Sequence, residues 1–205
     1  FPHRSHWNVY IAYFAGIFID CPSCLGMAIV NNTDRVTRGD RELWDELLQV
    51  VIPKGRNIWA FADDDSEKLN EVGRSFEFFV LPENNAANVK KAMKDVNFFD
   101  ARKYYKTTVG VGDFDGVGKV QLVTDIKVDQ NANTITVATD PTRDCRVIEW
   151  IADGKVIATG NTIDLNDYEK DLGCYIRFQM KGSGGVTYSQ PFELQYKGRI
   201  DKPVP

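Results

Sequence analysis

Residues 146–160 read RVIEWIADGKVIATG. Two runs rich in β-branched and apolar residues flank Asp153-Gly154, a pair that permits the positive φ of a tight hairpin turn. The stretch therefore predicts a β-hairpin, and its neighbours continue the pattern. TDIKV, TITVAT, NTIDL, GCYIRFQMKG and GVTYSQPFELQY follow at short intervals, with a second turn in the GSGG at 182–185. Roughly seven short strands in this span predict a β-sandwich of immunoglobulin type over residues 121–205, with Trp150 on its inner face.

Upstream of about residue 105 the pattern changes to a mixture of helix and strand. LGMAIV (25–30) reads as a short strand ending at Asn31-Asn32. From Asp40, the residues Leu43, Trp44, Leu47, Leu48 and Val51 recur at helical spacing, and Pro53 ends the run. Ile58 to Phe61 and FEFFVL (76–81) read as two more strands. Pro82 breaks the latter, and Asn84 or Asn85 can cap a helix whose face carries Ala86, Val89, Met93 and Val96. WNVYIAYFAGIFI (7–19) is too short for a membrane span and suits a buried strand or an interfacial segment. This rhythm predicts an α/β layer or barrel over residues 1–105. The glycine-rich TTVGVGDFDGVGK places a linker at 106–120, where DFDG lacks the later ligands of a calcium loop and reads as a turn.

The chain has 205 residues, an apolar fraction of 43% and a formal net charge of -4. Nothing in that balance favours nucleic acid or an anionic membrane surface. Cys21 and Cys24 form C-P-S-C, a spacing that suits a redox pair or half a zinc site, with two ordinary thiols as the plainer reading. Only His3 and His6 could complete a zinc set. Cys145 and Cys174 each lie in strand-like sequence, and a bond between them depends on the compartment.

The run FADDDSEKLNEVG (61–73) follows the strand ending at Phe61. Crowded carboxylates repel, so Asp63, Asp64 and Asp65 either splay into water near a helix start or surround a cation.

LGMAIVNN, NIWAFADDDSE and GRSFEFFVLPENNAANVKKAMKDVNFFDAR together resemble the closing portion of the polymerase and histidinol phosphatase (PHP) family. That family consists of distorted α/β barrels that hold two or three metal ions and hydrolyse phosphate esters. The strand pair CYIRFQMKGSGGVTYSQPF is similar to the tail found on some of its relatives. The resemblance implies a partial PHP-type barrel followed by the sandwich, an α/β plus all-β chain. It also implies a metal site at Asp65 and Glu67, a divalent cofactor (Zn, Mn, Mg or Fe) and a small phosphate ester as substrate. Asp65 takes the place of the family's ligating aspartate, whereas Glu67 stands where histidine is expected. The family's early H-x-H, its bridging glutamate and its further histidines have no counterpart here, and the resemblance thus implies ligands in a missing N-terminal segment or a degenerate barrel.

Two functional expectations result. One is a metal-dependent phosphoesterase, incomplete or inactive as this chain. The other is a non-catalytic binding or scaffold protein that uses the sandwich for partner or glycan contacts, with Tyr188, Phe192 and Tyr196 as an aromatic platform or as core. A truncated barrel would expose apolar edges and favour self-association. The tail domain and the absent initiator methionine suggest an exported, periplasmic or surface-attached protein.

Overall fold

A computed structural model describes residues 11–31, 34–103 and 118–196, with side chains of 34–38 excepted. His3, Arg4, His6, Trp7 and the DFDG turn lie outside the described residues, as does most of the expected linker.

The chain is β-rich, with three helices among the described residues. The first, α1 (Ile11–Asp20), corrects the expectation of a strand. Phe14, Ala15 and Phe18 are its buried residues, and an i, i+4 pair of phenylalanines shares one helical face. That face packs on the second helix. Strand β1 (Gly26–Asn31) leads into helix α2 (Asp34–Val51), which starts a turn and a half before Asp40. Leu43, Trp44, Leu47, Leu48 and Val51 are all fully buried, as their spacing predicts. A 3-10 turn at Ile52–Lys54 carries Pro53, and Gly55 closes it at φ 76, where glycine meets no Cβ penalty. Strand β2 (Trp59–Asp63) then pairs parallel with β1. The two backbones approach so closely that a Cβ on Gly26 would lie 1.9 Å from the Trp59 carbonyl oxygen.

Beyond β2 the expected barrel does not form among the described residues. Strand β3 (Ser75–Phe79), helix α3 (Ala86–Asp95) and strand β4 (Phe98–Arg102) follow. Asn85 caps α3 by accepting from the Asn88 N–H. NFFDAR supplies strand β4, because Val96 at φ 63 stops the helix two residues earlier. β3 and β4 pair antiparallel and join the sheet of the second half.

The second half supplies β5 (Val123–Asp129), β6 (Thr134–Thr139), β7 (Val147–Ala152), β8 (Lys155–Thr159), β9 (Thr162–Asp164), β10 (Tyr175–Gly182), β11 (Gly185–Tyr188) and β12 (Phe192–Glu193). The large sheet runs β3-β4-β11-β10-β7-β8, with β12 also on β10. The 106–120 boundary expected between two units thus falls between strands of one sheet, joined where Val186 pairs with Arg102 and Tyr188 with Asp100.

The sheet has two dressed faces. Ile148, Trp150, Ile176, Phe178 and Met180 meet Ile135, Val137 and Ile163 of the three-stranded sheet β5-β6-β9, which makes the sandwich-like layer that the sequence predicts. On the other face, Tyr175, Val186 and Tyr188 pack under α1, α2 and the β1-β2 pair. Every residue of β10 is consequently buried.

Candidate functional site

The acidic run sits at the carboxyl end of β2, and its members do different things. Asp64 accepts hydrogen bonds from the backbone N–H groups of Gly73 (2.5 Å), Arg74 (2.8 Å) and Ser75 (2.6 Å). It ties the loop after β2 to the start of β3. Asp65 is exposed and adopts φ 47. Glu67 is exposed as well, and its backbone N–H donates to Glu71 Oε2 at 3.0 Å. Among the described residues no three His, Cys, Asp or Glu side chains stand close enough to hold a metal ion.

Sequence reasoning passed over a second acidic group, on β3 and β4. Glu77 and Asp100 are directly opposite in the register and share one sheet face. Glu77 Oε1 accepts from the Ala62 N–H at 3.1 Å. Gln190 bonds both backbone groups of Ala60, accepting from its N–H at 2.9 Å and donating to its carbonyl at 3.1 Å. The same Gln190 amide donates to Asp100 Oδ2 at 3.0 Å. The free edge of β2 is therefore closed by side chains rather than by another strand, which disposes of an edge that would otherwise invite pairing. Asp100 Oδ1 has no partner, and Asp100 is fully buried.

Burial, and then the neighbouring Glu77 charge, push the Asp100 carboxyl well up from the usual carboxylate range. Burial also raises Glu77, against the pull of the Ala62 N–H. The folded protein holds these protons more tightly than the unfolded chain does. The contribution of these two groups to stability is therefore full at the acid end, below about pH 4 where free carboxyls titrate, and is lost as pH rises through the raised folded values. Asp100→Asn removes the charge and keeps the shape. It is expected to raise the urea midpoint at pH 8 and to flatten the decline between pH 5 and pH 8. An unaltered slope would show that Asp100 is not the group responsible.

A buried ion pair joins α2 to β10. Arg177 donates from Nε to Asp45 Oδ1 at 2.7 Å and from Nη2 to Oδ2 at 2.6 Å. The Tyr175 hydroxyl donates to Asp45 Oδ1 at 2.7 Å and accepts from the Gly154 N–H at 3.1 Å. The Arg177 guanidinium lies 5.1 Å from the centre of the Trp44 ring. Further along the same face, Lys181 donates to Glu149 Oε1 at 2.7 Å, and Gln179 donates to Glu149 Oε2 at 2.6 Å. The Asp45 group ties α2 to the sheet, whereas Glu149, Gln179 and Lys181 pair within the sheet itself, across β7 and β10.

All four cysteines are free thiols. Cys145 precedes β7 and Cys174 precedes β10, and the register sets Val147 against Lys181 and Ile151 against Arg177. The two cysteines sit at opposite ends of the strand pair, roughly 30 Å apart at about 3.3 Å per residue, far beyond disulfide reach. The Cys174 thiol instead donates to the Leu48 carbonyl at 3.7 Å.

At the far end of the sandwich is an open cleft of about 630 Å³. Ile135, Leu165, Leu172 and Leu194 give it an apolar floor, with Phe192 and Tyr196 at one side. Gln130, Asn133, Asn166, Glu169 and Gln195 supply polar groups. Asn133 Nδ2 donates to Asn166 Oδ1 at 2.9 Å, and Asn166 Nδ2 donates to the Ala132 carbonyl at 3.1 Å, so the two amides are preset. Of the three aromatic residues that the sequence places on one face, Tyr188 is buried in the core beneath α2, and only Phe192 and Tyr196 reach the cleft.

Comparison with family models, with curated proteins and with solved structures finds no match to this chain. No helix among the described residues is long and apolar enough to cross a membrane.

Proposed function

We propose that this chain is a non-catalytic binding module whose immunoglobulin-like sandwich takes a polyhydroxylated ligand, such as a glycan unit, in the cleft beside β12. What carries the reading is the composition of that cleft. An apolar floor with aromatic edges, ringed by amides and carboxylates, suits a sugar ring, which has apolar C–H faces and hydroxyls around its rim. Its volume of about 630 Å³ is that of an ordinary small-ligand site.

The test is NMR titration of the whole chain with a panel of neutral oligosaccharides. At least one is expected to shift the amide signals of Asn133, Asn166 and Gln195 together. Gln195→Ala, at an exposed position, is expected to weaken that ligand about five- to thirtyfold, the loss of one or two hydrogen bonds at about 1 kcal/mol each. Shifts scattered over the surface, or none, would remove the cleft from consideration.

A second reading is a PHP-type phosphoesterase, in which Asp65 and Glu67 hold a divalent ion with ligands from outside the described residues. The parallel β1–α2–β2 unit favours it, because such units build α/β barrels and Asp63, Asp64 and Asp65 stand at the carboxyl end of β2. Metal analysis separates the two readings. Loss of bound metal in Asp65→Ala would support the hydrolase, and an unchanged metal content would leave the binding module.

A further inference from the structure

The cleft makes no use of the C-P-S-C that ends α1. There the Cys21 N–H closes the last helical turn on the Ile17 carbonyl at 2.9 Å, and the Cys24 N–H donates to the Cys21 carbonyl at 2.9 Å. Residues 21–24 are thus a hydrogen-bonded β-turn, with Pro22 at the second position, where its fixed φ is favoured. A turn of this kind holds its end Cα atoms within about 7 Å, and a disulfide needs a Cα separation of roughly 4.4–6.8 Å.

The turn is also clamped from outside. Arg56, which follows the glycine stop after α2, donates from Nε to the Phe18 carbonyl at 3.0 Å. Its Nη2 reaches the Pro22 carbonyl at 3.4 Å and the Cys24 carbonyl at 2.5 Å. One guanidinium therefore fixes the helix end and both arms of the turn. Cys21 is exposed, Cys24 is half-buried, and the Cys24 thiol points to the Gly26 carbonyl at 4.0 Å. The fold delivers two free thiols on a preformed turn, one facing solvent and one behind it.

We propose that Cys21 and Cys24 form a dithiol site that exchanges with low-molecular-weight disulfides. The Cys21 thiolate attacks one sulfur of the small disulfide, whose S–S bond breaks as a mixed disulfide forms. The first small thiol leaves as its thiolate and takes up the proton that Cys21 released. The Cys24 side chain then turns from Gly26, and its thiolate attacks the Cys21 sulfur, expelling the second small thiol in the same way. Two protein thiols are oxidised to one Cys21–Cys24 bond, and the small disulfide is reduced to two thiols. Cys145 and Cys174 take no part, because they are too far apart to close a ring.

The experiment treats the whole chain with oxidised glutathione, quenches it with acid, alkylates the remaining thiols and maps the peptides by mass spectrometry. The wild type is expected to carry an internal Cys21–Cys24 bond and almost no retained glutathione. Cys24→Ser is expected to retain glutathione on Cys21 at a level about tenfold or more above wild type, because the resolving thiol, held close by the turn, is gone. Cys21→Ser should stay largely unmodified at the half-buried Cys24. The proposal is overturned if both thiols of the wild type remain free. It is equally overturned if wild type keeps as much glutathione on Cys21 as Cys24→Ser does, or if Cys21→Ser reacts as fast as the wild type.

Discussion

Asp45→Ala is expected to destabilise the protein by about 3–5 kcal/mol, a large share of the roughly 5–15 kcal/mol that holds an ordinary domain folded. Asp45 and Arg177 are 4% exposed each, and two short hydrogen bonds join them. Burial opposes the Arg177 charge, and the Asp45 carboxylate outweighs that opposition through its own charge and hydrogen bonds. Alanine removes the carboxylate and leaves a buried guanidinium whose Nη1 already has no partner. It also strips the Tyr175 hydroxyl of its acceptor. The loss should appear as a fall in the urea midpoint at unchanged m-value. The double variant Asp45→Leu with Arg177→Met should recover most of that loss, because apolar residues of similar size replace such pairs with little penalty. A double variant as unstable as Asp45→Ala alone would show that packing of α2, rather than the stranded charge, sets the effect.

The second large effect is Trp150→Ala, expected to cost about 3–5 kcal/mol through lost burial and the cavity left behind. Trp150 is fully buried at the centre of the sandwich. Its ring meets Phe178 edge-on at 5.4 Å between centroids, and its indole N–H donates to the Gly160 carbonyl at 2.9 Å. Trp150→Phe keeps much of the volume but gives up that hydrogen bond, so it should cost less than alanine does. Equal losses for phenylalanine and alanine would place the whole effect in the Gly160 contact. The readout is again urea unfolding, followed by tryptophan-independent far-UV dichroism.

These two residues differ in how far the sequence exposed them. Trp150 lies in a hairpin with a legible turn, in a run of short strands, so its place inside a sandwich could be read directly. Asp45 lies one residue after Trp44 on a helix whose apolar stripe was also legible, but nothing in that stripe marks a carboxylate beside it as buried. YIRFQMKG shows the same ambiguity. Its alternation correctly separates Ile176, Phe178 and Met180 from Tyr175, Arg177, Gln179 and Lys181. Alternation of this sort usually marks one wet face. Here α1, α2 and the β1-β2 pair cover the polar face, so its charges must pair inside the protein.

The acidic run was legible as a position and not as a role. Its place after β2 followed from sequence, but three adjacent aspartates look alike on paper. Only the folded loop makes Asp64 a backbone anchor and leaves Asp65 in water. Glu77 and Asp100 stand far apart in the chain and became neighbours through the pairing of β3 with β4. A glutamate and an aspartate inside aromatic-rich strands were the signal available for that group.

Local chemistry by itself determined most helices and strands, the hairpin at Asp153-Gly154, the stop after α2 and the inward place of Trp150. Periodicity and turn preference are properties of a few consecutive residues, so a sequence carries them openly. Only the tertiary structure decided that β3 and β4 leave the β1-β2 pair for the large sheet, that the polar face of β10 is covered, and that Cys145 and Cys174 never meet. Those outcomes depend on which edge a strand finds and which layer lands on a face, and such long-range choices are settled by the competition among all the surfaces of the chain at once.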